Sequence, residues 1–223
     1  MTRSSTRGPL AVTLVAFALL LTWDASGLDV SAARWFGTPV GFPWRDSRPL
    51  ILWMHEVPRF ASWALVIGLF LAIRWPVGVL RRLDLPSRVQ LAVTVLASVL
   101  AVSLIKTHSQ TSCPWDLQAF GGIARYVSHW RWGLDDGGPG KCFPAGHASA
   151  AFAYVGGWFA FRRNAPRLAG WWLACAVLAG LALGIGQQMR GAHYMSHTLW
   201  TAWICWSVGF AIDALRGANL NGS

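Results

Sequence analysis

Six histidines punctuate this chain of 223 residues, and none falls in the middle of an apolar run: His55, His108, His129, His147, His193 and His197. Four short stretches gather most of the reactive side chains. They are KTHSQTSCPWD over 106–116, KCFPAGH over 141–147, QQMRGAH over 187–193, and its continuation YMSH over 194–197. An imidazole both takes and gives protons near neutral pH. Two of them beside a bound anion therefore supply a nucleophile and a general acid. The run Pro144-Ala145-Gly146-His147 reads as the opening of a helix. Proline is pre-set for a first helical turn, and the free N–H groups and positive dipole end found there attract an anion. Lys106, Lys141 and Arg190 bring cations to the same set. Cations offset the charge that spreads over the equatorial oxygens of a transferring phosphoryl group. With His147 and His193 between them, the indicated chemistry is phosphoryl transfer: one ring attacks phosphorus and the other protonates the leaving oxygen.

Such a set needs elements that deliver it to one place, and the composition says which kind. Apolar residues make up 54% of the chain and charged residues only 13%, against about 25% charged in a soluble domain. Mean hydropathy is +0.41. These values exclude a soluble enzyme, a disordered tail and a small disulfide-stapled secreted domain. A helix crossing a bilayer needs roughly 20 apolar residues. Hydrophobic runs at about 9–23, 59–75, 89–105, 147–161, 168–186 and 194–215 predict an all-α, polytopic protein with six transmembrane helices in one domain over 1–223. The first run follows Arg3 and Arg7 as a signal peptide would, but Trp23-Asp24 stands where a small-x-small cleavage site would be. It is therefore expected to remain as a span. Fifteen Trp suit the membrane–water boundary, where the ring is in an apolar layer and its N–H is wet. Small-residue faces at Gly180 and Gly184, and at Gly146, Ala150, Ala153 and Gly157, read as helix packing.

The net charge of +10 reflects topology rather than a nucleic-acid footprint. Of 19 Lys and Arg, ten lie on four short segments: Arg3, Arg7, Arg74, Arg81, Arg82, Arg88, Arg162, Arg163, Arg167 and Arg216. Short basic segments face the cytoplasm, so both termini are expected there. The loops 24–58 and 106–146 and the corner 187–193 then share the opposite face, with every histidine on it or at a helix end facing it. In the loop 24–58, the stretch 28–36 is expected to lie flat on the membrane. Ser47-Arg48-Pro49 reads as a cap opening a short interfacial helix over 49–57.

The motif stretches resemble the membrane branch of the type 2 phosphatidic acid phosphatase / vanadium haloperoxidase superfamily, whose pattern is K-x6-R-P, then P-S-G-H, then S-R-x5-H-x3-D. The likeness covers all six runs in order. Pro144-Ala145-Gly146-His147 nearly completes the second motif, and Gly191-Ala192-His193 preserves part of the third. The resemblance implies a four-helix catalytic core, a phosphohistidine intermediate on His193, His147 as general acid, and no metal or other cofactor. It also implies an outer-face active site in the cytoplasmic membrane of a bacterium, facing the periplasm. This chain departs from the pattern at several positions. Lys106 and Pro114 match the first motif, but Cys113 stands in place of Arg. In the third, Gly186 stands for Ser, Gln187 for Arg and His197 for Asp. Arg190 and Lys141 are the expected substitute cations, with Gly146 at the helix opening. His197, four residues after His193, is the expected orienting partner if the helix has begun there, with Asp116 or Glu56 as alternatives. His197 is also a rival nucleophile, after Arg190 in the spacing R-x6-H.

Cys113 and Cys142 both lie beside motif residues on the outer face. A disulfide there would replace an arginine-mediated link between the first motif and the P-A-G-H turn. A zinc site is disfavoured, because Cys-x2-Cys spacing is absent. Cys175 and Cys205 read as small apolar residues. His108 and His129 are expected as loop residues without a catalytic part, and His55-Glu56 has no assignment. The function expected is that of an integral membrane lipid phosphatase. It would cleave a phosphomonoester or pyrophosphate of lipid A, undecaprenyl pyrophosphate, phosphatidylglycerophosphate or phosphatidate. A lipid phosphotransferase and a catalytically inactive phospholipid-binding membrane protein are the alternatives. A transporter would carry charge at mid-membrane, where these runs have almost none.

Overall fold

The computed structural model describes residues 6–131 and 133–219; Arg3 lies outside them. Helices and turns account for the described elements, apart from two isolated β-bridges, Thr38 with Gly41 and Leu117 with Ala124. The chain begins with α1 (Arg7–Ser26) and a short α2 (Leu28–Ala33). Next come α3 (Arg48–Ile51), a π-helical turn (Leu52–Glu56) and α4 (Val57–Arg74) in one unbroken run. The remaining helices are α5 (Leu85–His108), α6 (Gly146–Phe152), α7 (Gly156–Phe161), α8 (Pro166–Met189) and α9 (Met195–Asn219).

The separate interfacial helix expected over 49–57 is not separate. Pro49 does open a helix next to Ser47, but Ser47 makes no side-chain capping bond. The chain then continues through the π turn into α4. A π turn inserts one residue without breaking the backbone hydrogen bonding, so nothing in 52–58 stops the helix. Elsewhere local chemistry marks the ends clearly. Asp84 caps α5 by accepting from the Ser87 N–H at 2.9 Å, with proline in the first turn.

Five helical stretches are long and apolar enough to cross a membrane: Arg7–Ser26, Arg48–Arg82, Leu85–His108, Pro166–Met189 and Met195–Ala218. The sixth expected span differs. Residues 146–161 are helical, but a 3-10 turn at Ala153–Val155 divides them, and the whole stretch has 16 residues. At 1.5 Å per residue that is about 24 Å, less than the roughly 30 Å hydrocarbon layer. This short segment is the most enclosed in the protein: Ala148, Phe152, Ala153, Phe159 and Phe161 are all nearly inaccessible. The long helices, by contrast, show Leu14, Leu19, Leu65, Leu71, Leu104, Trp171 and Leu178 on their outer faces. Apolar exposure on that scale belongs to a lipid-facing surface, and the protein is a multi-pass membrane protein.

Close helix approach depends on the small residues. A Cβ on Gly180 would meet the Phe152 ring at 2.6 Å, and one on Gly184 would meet Thr198 at 2.2 Å. The Trp-rich face of α9 packs on α1: Trp203 Nε1 donates to the Thr13 carbonyl at 3.0 Å, and Trp206 Nε1 to the Thr13 hydroxyl at 3.0 Å. The two ends of the bundle differ in chemistry. One end carries Asp213, only 1% exposed, in ion pairs with Arg162 at 2.6 Å and Arg163 at 3.1 Å. Gln90 also bonds Asp213, and Arg216 bonds Gln90 and Ser87. The other end collects the histidines.

Candidate active site

Four elements meet at the histidine end: the C-terminus of α5, the N-terminus of α6, the turn between α8 and α9, and the π turn before α4. Lys106, near the end of α5, lies along the backbone of α6. A Cβ on Gly146 would stand 3.4 Å from Lys106 Cδ, so glycine leaves room for the lysine stem beside the helix opening. Lys106 acts as a like charge on His147, His193 and His197. The His147 and His193 ring centres are 6.0 Å apart.

His193 sits in the turn after α8. Gly191 there adopts φ +76°, and its α-carbon faces the Phe42 ring too closely for any Cβ. The turn is tied down on both sides, by Trp115 N–H to the Gly191 carbonyl at 3.0 Å and by Ala192 N–H to the Gln187 carbonyl at 2.8 Å. His193 is 3% exposed. Burial first, and then the charges of Lys106, His197 and His147, hold its pKa well below the ordinary imidazole range. Both causes favour the neutral form of the His193 ring. Its Nδ1 faces the Cys142 sulfur at 3.5 Å.

His197 does not orient His193. Their ring centres are 5.9 Å apart and edge-on. The His197 Nδ1–H donates instead to the Cys142 carbonyl at 3.1 Å, an oxygen that can only accept. Because α9 begins at Met195, His193 lies before the first turn and the four-residue helical relation does not apply. Asp116 is also engaged elsewhere. Its carboxylate accepts from the Cys113 N–H at 3.2 Å and closes its own turn. Glu56 is exposed. The group beside the His193 ring is Cys142, and Cys142 is bonded to Cys113 in a disulfide, with Cα atoms 5.2 Å apart. Candidate ligand atoms of Cys142, His193 and His197 lie within 4.8 Å of one another. A disulfide sulfur is not a thiolate, however, and thiolate is the form that binds metal.

Of the two expected substitute cations, one is built into the site. Arg190 is 9% exposed and donates from Nη1 to Gln187 Oε1 at 3.2 Å and from Nε to the Arg45 carbonyl at 3.0 Å. Its charge bears on both His55 and His147. Lys141 stands apart: its side chain is exposed, on a residue with φ +56°. Among the described residues it shares no hydrogen bond or ring contact with the imidazoles. A left-handed residue turns the chain sharply, so nearness in sequence to Pro144 did not carry the side chain inward.

Two histidines left out of the expected site lie against it. His129 stacks on Phe143 with ring centres 4.1 Å apart, and its Nε2 is 3.4 Å from Asp24. Asp24 also accepts from Trp130 Nε1 at 2.8 Å and Trp200 Nε1 at 2.9 Å. His55 lies over His147, with ring centres 4.1 Å apart. Neither placement had a local signal, because Asp24–His129 and His55–His147 are long-range pairs.

A cluster of imidazoles flanked by Lys106 and Arg190 thus gathers at one end of a membrane helix bundle. The chain belongs to the PAP2 superfamily, which it matches over residues 88–219, more than half its length. That region runs from α5 to α9 and includes Lys106, His147, Arg190, His193 and His197, while His55 and Asp24 lie before it. Membership is consistent with a phosphatase-type membrane enzyme acting on a lipid phosphate. No curated protein and no solved structure matches the chain.

Proposed function

We propose that this protein is an integral membrane lipid phosphatase that hydrolyses a lipid phosphomonoester or pyrophosphate through a phosphohistidine on His193. The observation that carries the reading is the convergence of Lys106, His147 and His193 from three separate elements, in a chain of this family. His193, neutral and with Nδ1 turned to Cys142, attacks phosphorus through Nε2. The bond from phosphorus to the lipid oxygen breaks as His147 delivers a proton to that oxygen. Water then attacks the phosphohistidine, with His147 as base, and releases inorganic phosphate. Lys106 and Arg190 offset the charge on the non-bridging oxygens.

In this reading the segment 146–161 acts as a sixth membrane-embedded helix. It completes a catalytic core with α5, α8 and α9, the site faces the periplasm, and both chain ends face the cytoplasm. The lipid reaches the site sideways. A groove of about 1020 Å³, lined by apolar residues of α4, α6 and α8, ends at Trp53 and Met54, next to His55. The Met54 carbonyl accepts from Gln187 Nε2 at 2.8 Å, which joins the groove to the wall of the site.

The test is phosphate release by purified protein in detergent with EDTA present. The substrates are lipid A, undecaprenyl pyrophosphate, phosphatidylglycerophosphate and phosphatidate, with His193→Ala and His197→Ala alongside wild type. Metal-independent release that disappears in His193→Ala is expected. Loss confined to His197→Ala would move the nucleophile. Absence of release from every lipid by a folded sample would leave a phospholipid-binding protein.

A further inference from the structure

His55 belongs to no motif and lies outside the region that matches the family, yet the fold delivers it to the centre of the site. It sits within the π turn Leu52–Glu56. The His55 ring lies 4.1 Å from that of His147, centre to centre, with the planes tilted by 40°. Nδ1 of each ring is inaccessible to water and has no hydrogen-bond partner among the described residues. A buried polar atom in that state normally has a partner, and two of them side by side mark a place where an acceptor or donor is still to arrive.

The surrounding groups indicate what arrives. Arg190, from the end of α8, and Arg59, on the same helix as His55, act on it as like charges; Glu56 acts in the opposite sense. From α6 it meets His147, which also has Lys106 as a like charge. Among the described residues the exposed Glu56 acts on His55 in the opposite sense, and Asp46 acts so on Arg190; cations outnumber them, so the place suits an anion. Resting on the phosphatase reading of the same site, we propose that His55 is a phosphate-contacting residue. It becomes an imidazolium when the phosphoryl group arrives and donates a ring N–H to a non-bridging oxygen. It thereby supplies a cation that the family pattern takes from arginine at the positions of Cys113 and Gln187. Before the anion binds, a third full charge beside Arg190 and Arg59 would be repelled. The bound dianion removes that repulsion, so anion binding carries a proton in with it.

Sulfate tests this, because it is a tetrahedral dianion with no proton to give or take between pH 5 and 9. Sulfate binding to the purified protein is measured by calorimetry at pH 7 in two buffers of different ionisation enthalpy. Wild type is expected to take up about one proton per sulfate. His55→Ala is expected to bind about tenfold or more weakly and to lose that uptake. His55→Arg is expected to regain affinity without taking up a proton, which a merely structural role for the ring would not produce. Unchanged affinity and uptake in His55→Ala overturn the proposal, as does uptake that persists there but vanishes in His147→Ala. A folded wild type that binds no sulfate sinks the anion site and His55's role together. Sulfate binding that depends on His55, without phosphate release from any lipid, sinks only the enzymatic reading.

Discussion

Arg190 donates from Nη1 to Oε1 of Gln187 across 3.2 Å, one turn apart at the end of α8. Gln187 stands where the family pattern has arginine, and its amide turns in two directions. Its oxygen holds the guanidinium, while its Nε2 anchors the wall residue Met54 at 2.8 Å. One amide thus replaces a lost charge by steering another. Arg190→Ala is expected to lower kcat/KM for phosphate release by about 10²–10³-fold, the usual effect of removing one donor from a developing oxyanion. Gln187→Ala is expected to lower it by about tenfold, because the Arg45 carbonyl still holds Nε at 3.0 Å and one neutral-to-charged hydrogen bond is lost. Arg190→Lys does not rescue, since one ammonium cannot reproduce the planar fork. Equal activity of wild type and Arg190→Ala would remove Arg190 from the site.

The acid side of the pH profile follows from the burial of His193. Its pKa lies below the ordinary imidazole value of about 6.5, so the proposed nucleophile stays neutral as pH falls through 6.5. The acid limb of kcat/KM belonging to His193 is therefore expected below that value, and activity at pH 6 should not fall for want of a neutral nucleophile. Stability carries the matching sign. Below about 6.5 the unfolded chain takes up a proton at this residue that the folded chain refuses, so folding weakens from there down to the folded pKa. Thermal unfolding in detergent at pH 7 and pH 5 measures it. His193→Asn, which does not titrate, is expected to lose less stability between those values than wild type. An acid limb at or above 6.5 that vanishes in no other histidine variant would contradict the neutral nucleophile.

Much of this was legible in the residues, and the rest had physical reasons not to be. The membrane class followed from charge depletion, and Lys106 at the end of one helix and Gly146-His147 at the start of another followed from where the hydrophobic runs stop and begin. Arg190 was legible too, because Gln187 and Arg190 share a helix face. Orientation inside the turns was not. Lys141 points outward because its own backbone is left-handed, and His197 turns to the Cys142 carbonyl because α9 starts two residues too late to pair it with His193. His55 reads as a polar residue before a span, yet it lies in a π turn, which has no local sequence signature, against His147. The shortness of 146–161 also escaped. Its apolar run is as continuous as the others, and only packing shows that lipid is largely kept from it.

The Cys113–Cys142 disulfide joins the first-motif loop to the residue beside His193. It closes a loop with a sequence separation of 29. Chain entropy alone makes such a cross-link worth about 3–4 kcal/mol. Cys142 also receives the His197 N–H on its carbonyl and sets its sulfur beside His193, so breaking the bond acts on both rings. Treatment with a dithiol reductant is expected to lower both the unfolding temperature and kcat, and the variant carrying Cys113→Ser and Cys142→Ser should match the reduced protein. A reduced enzyme with full kcat and unchanged unfolding temperature would leave the disulfide without a part in holding the site.

Asp29 caps α9 from the far side of the turn. It is 4% exposed, on α2, and its carboxylate accepts the Ser196 N–H at 3.0 Å, the Ser196 hydroxyl, and Trp23 Nε1 at 2.9 Å. A carboxylate at a helix N-terminus stabilises the free N–H groups there. Here the cap comes from another element, so it fixes where α9 begins and with it the positions of His193 and His197 on either side of Ser196. Asp29→Ala leaves several buried donors without an acceptor, at a cost of about 1–3 kcal/mol for an unsatisfied group. Asp29→Asn keeps the shape but loses the charge. Both are expected to lower the unfolding temperature, Ala more than Asn. Both should reduce kcat more than they raise KM, because the anion still meets Lys106 and Arg190 while the nucleophile is misplaced. A loss of stability with kcat intact would make Asp29 a cap for α9 and nothing more.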